Sequence, residues 1–169
     1  MGPIGRVVTL VVGFAGGTLF SQAPEFAQQY RQRIGGAIDE LRVIVDDFTK
    51  QATDHHLDRQ QALDAYTRSP DDFLRDRGIS MRSTLERYER LITQQSDLGS
   101  AAPVAKPFVL MRNADEGILA NTWRDFVPGV PVSFAGLAWA AIGFIGGWIV
   151  AALFGAGAKR AVRWRPRYR

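Results

Sequence analysis

Apolar and polar positions are sorted along this chain into long blocks before any finer period shows. From Val7 to Pro24 no side chain is charged, and from Phe126 to Ala158 again none is. Between these quiet stretches the apolar residues recur at helical spacing. Phe26, Tyr30, Ile34, Ala37, Leu41, Ile44 and Phe48 step by three and four, as do Leu74, Gly78, Met81, Leu85, Tyr88, Ile92 and Gln95. Both are seams of the coiled-coil kind, with charged residues on the remaining faces. They predict two helices of roughly 40 Å. A short helix is expected near residues 57–67, from Leu57, Leu63 and Tyr66. The simplest assembly is an antiparallel helical hairpin with a helical cap.

Start and stop signals refine this. Ser69 is the expected N-cap of the second long helix, with Pro70 at its first position and Asp71 and Asp72 facing the helix dipole. Gly99–Pro107 reads as a linker. A short helix should follow, with Asp115 and Glu116 near its start and Ile118, Leu119, Trp123 and Phe126 on its apolar face. It reads either as an interfacial helix, with Trp123 in the headgroup layer, or as ordinary packing on the hairpin. Pro24 is expected to kink the junction between the first quiet stretch and the hairpin.

The quiet stretches have the dimensions of membrane spans. Val7–Pro24 would cover about 27 Å as a helix, and Phe134–Phe154 slightly more, against a hydrocarbon core of about 30 Å. Ser133 is placed to cap the second. The competing reading for each is a buried helix of a soluble core. The first has a further rival, a cleavable secretory signal with Ser21-Gln22-Ala23 as the small-x-small site. Pro24 directly after the cut argues against it.

Charge gives the orientation. Of 169 residues, 21 are Lys or Arg and 17 are Asp or Glu, a formal net charge of +4. All the acidic residues lie between Glu25 and Asp125, where 14 basic residues accompany them. Lys159, Arg160, Arg163, Arg165, Arg167 and Arg169 crowd the last eleven positions, interleaved with Trp164 and Tyr168. Ionised groups avoid hydrocarbon and gather at its edges, and basic clusters stay on the cytoplasmic side. The expectation is therefore an all-α membrane protein with two transmembrane helices flanking an extramembrane hairpin. Residues 1–24 hold the first span, 25–125 the periplasmic hairpin and its interfacial helix, 126–158 the second span, and 159–169 a basic cytoplasmic tail. The membrane would be a bacterial inner membrane with both termini in the cytoplasm. The tail and Trp123 would contact the lipid surface, with lipid anchoring favoured over nucleic acid.

Candidate chemistry is sparse. The chain has no cysteine, which excludes disulfides, thiolate metal sites and a cysteine nucleophile. Its two histidines, His55 and His56, are adjacent and lack a third strong ligand, so a solvated loop at the hairpin tip is expected. No P-loop, GxSxG or GxGxxG pattern stands in a credible setting. No catalytic residue, cofactor, metal or small-molecule substrate is assigned. The informative pattern is small residues at four-residue intervals: Gly5, Thr9, Gly13, Gly17 and Ser21 in the first span, and Gly143, Gly147, Ala151 and Gly155 in the second. Such ridges let helix backbones approach closely in lipid. They could pack the two spans on each other, or bind a second copy or another membrane protein.

Three stretches carry a resemblance. The run from Ser21-Gln-Ala-Pro-Glu-Phe through Leu41, the segment Ser69-Pro-Asp-Asp-Phe-Leu-Arg-Asp-Arg-Gly and the segment Arg87-Tyr-Glu-Arg-Leu together resemble an uncharacterised family of proteobacterial membrane proteins, known only as a domain of unknown function. The resemblance implies an inner-membrane protein with an uncleaved first span, and supplies no activity, cofactor or catalytic residue. The expected role is a non-enzymatic accessory, adaptor or scaffold subunit that binds membrane proteins through the ridges and the hairpin. The alternative is a self-associating, membrane-organising or lipid-interacting protein.

Overall fold

A computed structural model describes residues 2–163, the side chains of 158–163 aside. Every regular element among the described residues is an α-helix: α1 (Pro3–Ser21), α2 (Ala23–Asp54), α3 (Arg59–Thr67), α4 (Asp72–Ser100), α5 (Lys106–Arg112), α6 (Glu116–Arg124) and α7 (Phe134–Arg163). The chain divides into two compact units, and α2 and α5 each pass from one to the other.

The first unit comprises the chain up to Gln28, Ala102–Phe108 and the chain from Asp125 onward. Pro3 opens α1 at a position where its missing N–H would have no partner in any case. One residue, Gln22, separates α1 from α2. It keeps right-handed helical angles, its N–H bonds the Leu19 carbonyl, and its own carbonyl accepts from the Phe26 N–H. Pro24 therefore falls in the first turn of a new helix rather than inside an old one, where its ring is tolerated. At the other end of the unit, Ser133 caps α7 as its sequence suggests: Oγ accepts from the Gly136 N–H at 3.1 Å.

Two helical stretches are long and apolar enough to cross a membrane: the run that opens at Pro3, and Phe134–Gly157. Few of their residues are buried. The buried side of α1 is Thr9, Gly13, Gly17 and Ser21, while Val7, Val11, Phe14 and Leu19 face outward. On α7, Leu137, Ile145, Leu153 and Phe154 are likewise exposed. Apart from Trp139, which is buried on α7, the small residues are inside and the large apolar ones outside, the reverse of a soluble core.

The second unit comprises Gln29–Ala101 and Val109–Arg124. Its α2 side buries Tyr30, Ile34, Ile38, Val45, Phe48 and Ala52. Its α4 side buries Gly78, Met81, Leu85, Leu91, Gln94 and Leu98. The partners on α4 fall in number as those on α2 rise. Tyr30 meets Gln94, Arg42 meets Tyr88, and Val45 and Phe48 join Met81 and Leu85 in one apolar cluster. Ala62 and Leu63 of α3 complete that cluster. Gly78 lets α3 approach, since a methyl group there would stand 2.6 Å from Tyr66 Cβ.

Several expectations are corrected. The seams shift by one position midway: Val45 is buried in place of Ile44, and Leu91 in place of Ile92. The N-cap of α4 is Asp71, whose carboxylate accepts from the Phe73 N–H at 2.8 Å. Ser69 Oγ instead accepts from the Asp71 N–H, one turn earlier. The predicted linker is shorter than expected, because α4 continues through Ser100 and α5 begins at Lys106. The helix near 57–67 is present as α3, closed at its start by a reciprocal capping box between Asp58 and Gln61.

Candidate functional site

The closest packing in the first unit is between α1 and α7. Their partners run in opposite senses: Val12 and Gly13 lie against Gly147, Gly16 against Gly143, Gly17 against Ala140, and Phe20 stacks on Trp139. A Cβ on Gly16 would stand 2.5 Å from the Gly143 carbonyl oxygen, and one on Gly147 would stand 2.6 Å from the Val12 carbonyl oxygen. Backbones this close gain dispersion and Cα–H···O contacts that any side chain would push apart. Thr9 and Ser21, also on this face, are buried and satisfied within their own helix: their hydroxyls donate to the Gly5 and Thr18 carbonyls.

Of the ridge residues expected to pack, Gly13, Gly17, Gly143 and Gly147 are thus in contact across α1 and α7, and Ser21 is buried on the same side. Ala151 and Gly155 are half-buried farther along α7. The ridges serve each other over residues 12–17 and 140–147. Gly16 and Ala140 belong to this contact and were missed. A spacing of four picks one column of residues, whereas crossing helices use the neighbouring column as well.

Two further contacts fix the ends of this unit. The Gln22 carboxamide bonds the Gly129 backbone twice, donating from Nε2 to the carbonyl at 3.1 Å and accepting at Oε1 from the N–H at 2.9 Å. The Trp139 indole N–H donates to the Val104 carbonyl at 2.9 Å, and Phe108 packs on the same ring.

The second unit holds a buried polar clasp. Tyr30 is 0% exposed, and its hydroxyl donates to Gln94 Oε1 at 3.0 Å while accepting from the Asp115 N–H at 2.8 Å. Gln94 Nε2 donates onward to the Asn113 carbonyl. Asp115 receives Arg87 in a two-pronged ion pair, at 3.1 and 3.3 Å, and the Ile118 N–H at 3.0 Å. Burial raises the Tyr30 phenol above its usual pKa, against smaller opposing effects of its hydrogen bonds. Burial also acts to raise Asp115, but the hydrogen bonds from Arg87 and Ile118 outweigh it and hold the carboxylate below its ordinary value. The clasp joins α2 and α4 to the segment that opens α6. No buried side-chain nitrogen or oxygen among the described residues lacks a partner. The buried polar atoms of the clasp therefore all have partners within the fold.

The remaining candidates separate. Trp123 is strongly exposed on α6, whose buried face is Ile118 and Thr122. His56 adopts a left-handed backbone angle, φ 59°, in the turn after α2, and His55 lines a groove of about 760 Å³ with Phe48, Leu57, Tyr66 and Leu74. Lys159, Arg160 and Arg163 lie on the last turns of α7. Trp164, Arg165, Arg167, Tyr168 and Arg169 lie outside the described residues.

Comparison with known proteins places the chain at the level of a family. A family model described as "Protein of unknown function (DUF2937)" matches residues 4–163. No curated protein and no solved structure matches the chain.

Proposed function

The chain belongs to this family of unknown function, and we propose that it is a two-span inner-membrane protein acting as a non-enzymatic adaptor or scaffold. In this reading α1 and α7 form the membrane anchor, residues 25–125 stand in the periplasm as an antiparallel helical hairpin, and both termini are cytoplasmic. The observation that carries it is the inside-out packing of α1 and α7. Small residues meet at the centre, and Val7, Val11, Phe14, Ile145, Leu153 and Phe154 face outward. Lipid is the solvent that favours such a surface. Arg6 and the basic cluster from Lys159 support the cytoplasmic assignment of the ends.

The adaptor role rests on what the second unit offers. Its buried polar groups are paired with one another, while Val43, Phe73 and Ile79 are exposed along two long helices. Because the small-residue ridges are engaged with each other, partner binding falls to the hairpin. Cross-linking in intact cells, followed by capture of the full chain and mass spectrometry, tests this. A defined envelope protein, lost when Ile79→Asp or Phe73→Asp is introduced, supports the adaptor. Recovery of only the chain itself and lipid favours a self-associating membrane organiser.

A further inference from the structure

Within the first unit, we propose that the loop 127–133 is a shallow lip seated in the headgroup–acyl boundary of one leaflet, so that its binding partner is the lipid surface itself. The inference rests on the membrane reading above and adds a lipid-contacting site outside the two spans.

Composition is the first observation. The loop, Val-Pro-Gly-Val-Pro-Val-Ser, carries no charge, and Val130, Val132 and the following Phe134 are 83%, 87% and 82% exposed. It continues directly into the exposed apolar surface of α7. Clustered apolar exposure of this kind marks a contact with something other than water.

Depth is the second. The register of α1 on α7, with Gly16 at Gly143 and Phe20 at Trp139, sets Gln22 roughly level with Leu137, one turn inside the start of α7, at ~1.5 Å per residue. Gln22 holds Gly129. The middle of the loop is therefore tied back to the junction of α1 and α2, where the Glu25 side chain also lies against it: a Cβ on Gly129 would stand 3.4 Å from Glu25 Cγ.

Backbone satisfaction is the third. Irregular chain at the edge of hydrocarbon is tolerated only where its N–H and C=O groups find partners. Several here do: Gln22 serves both polar groups of Gly129, the Val132 N–H bonds the Val130 carbonyl, the Ser133 carbonyl accepts from the Leu137 N–H, and Pro128 and Pro131 have no N–H to satisfy. A loop in water would need none of this. The Gln22 amide, itself costly in an apolar layer, is neutralised by the same two bonds.

The native chain has no cysteine, so single cysteines report cleanly. Full-length Val130→Cys, Ile145→Cys and Ile79→Cys proteins, each labelled with an environment-sensitive fluorophore, would be reconstituted into phosphatidylethanolamine–phosphatidylglycerol vesicles. Quenching by lipids spin-labelled near the headgroup would be compared with quenching by aqueous iodide. The proposal expects Val130 to be quenched several-fold more by the shallow lipid label than Ile79, and to be shielded from iodide. It expects Gln22→Leu to return Val130 to iodide while Ile145 stays shielded. If Val130 behaves like Ile79 while Ile145 is lipid-quenched, the lip is overturned and the spans stand. If Ile145 is also open to iodide, the membrane reading fails and the lip with it. An unchanged Val130 signal in Gln22→Leu would overturn the role given to the carboxamide.

Discussion

Gly16 and Gly143 meet backbone to backbone: the carbonyl of each occupies the place where a side chain on the other would begin. Nothing larger than hydrogen fits at either position without separating α1 from α7. Gly146, three residues on, has open space where a Cβ would stand. The pair therefore makes a position-specific prediction. Gly143→Ala should lower the thermal stability of the detergent-solubilised protein by an amount typical of an overpacked contact, about 1–3 kcal/mol. Gly146→Ala should leave it unchanged or raise it by up to about 1 kcal/mol, the helix-propensity gain of alanine at an open site. Stabilisation at both sites alike would mean that glycine matters here for helix propensity and not for contact.

Tyr30→Phe should destabilise the second unit by roughly 1–3 kcal/mol, because Gln94 Oε1 and the Asp115 N–H both lose a buried partner. Hydrogen exchange should show faster loss of protection at Asp115 and along the start of α6 than at α3, which the hydroxyl does not touch.

The clasp also sets the pH dependence. Asp115 has a depressed pKa in the fold, so its contribution is present above the ordinary carboxylate value of 3.8 and is lost as pH falls through the depressed one. Tyr30 has a raised pKa, so its contribution holds below the ordinary phenol value of 10.0 and is lost as pH rises through the raised one. Denaturation measured against pH should show both limbs. Asp115→Asn should flatten the acid limb, and Tyr30→Phe the alkaline one.

Two turns distinguish neighbouring residues. Asp71→Ala should cost about 1 kcal/mol as the loss of an N-cap, and Ser69→Ala distinctly less. His56 sits where helices usually place glycine, with the Leu57 N–H bonded back to the Ala52 carbonyl. His56→Gly should therefore be neutral or stabilising by up to ~1 kcal/mol, as chemical unfolding would read.

Much of the architecture was legible because long charge-free runs and helix periods are strong signals. The charge-free runs marked α1 and α7, and the family resemblance read from residues 21–41, 69–78 and 87–91 holds over residues 4–163. The seams were right at Tyr30, Ile34 and Phe48, and at Gly78, Met81 and Leu85. They slipped where two adjacent apolar residues competed, Ile44 with Val45 and Leu91 with Ile92. A 3.5-residue template drifts against a 3.6-residue helix, and only the packing partner decides between neighbours. The clasp was invisible for a different reason. Its members lie as much as 85 positions apart, and Gln94 reads as surface until Tyr30 and Asn113 surround it. Gln22 read as part of a cleavage site, and only its bonds to Gly129 reveal a tether.

The central claim is that α1 and α7 cross the bilayer and leave the helical segment between them on the far side. Single-cysteine labelling with a membrane-impermeant maleimide in intact spheroplasts tests it most directly, at Ile79 in α4 and Ile145 in α7. The account predicts that Ile79→Cys reacts fully before lysis, and that Ile145→Cys does not react with the reagent even after lysis by freeze–thaw. Labelling of Ile79→Cys only after lysis, or ready labelling of Ile145→Cys in aqueous buffer, would contradict it.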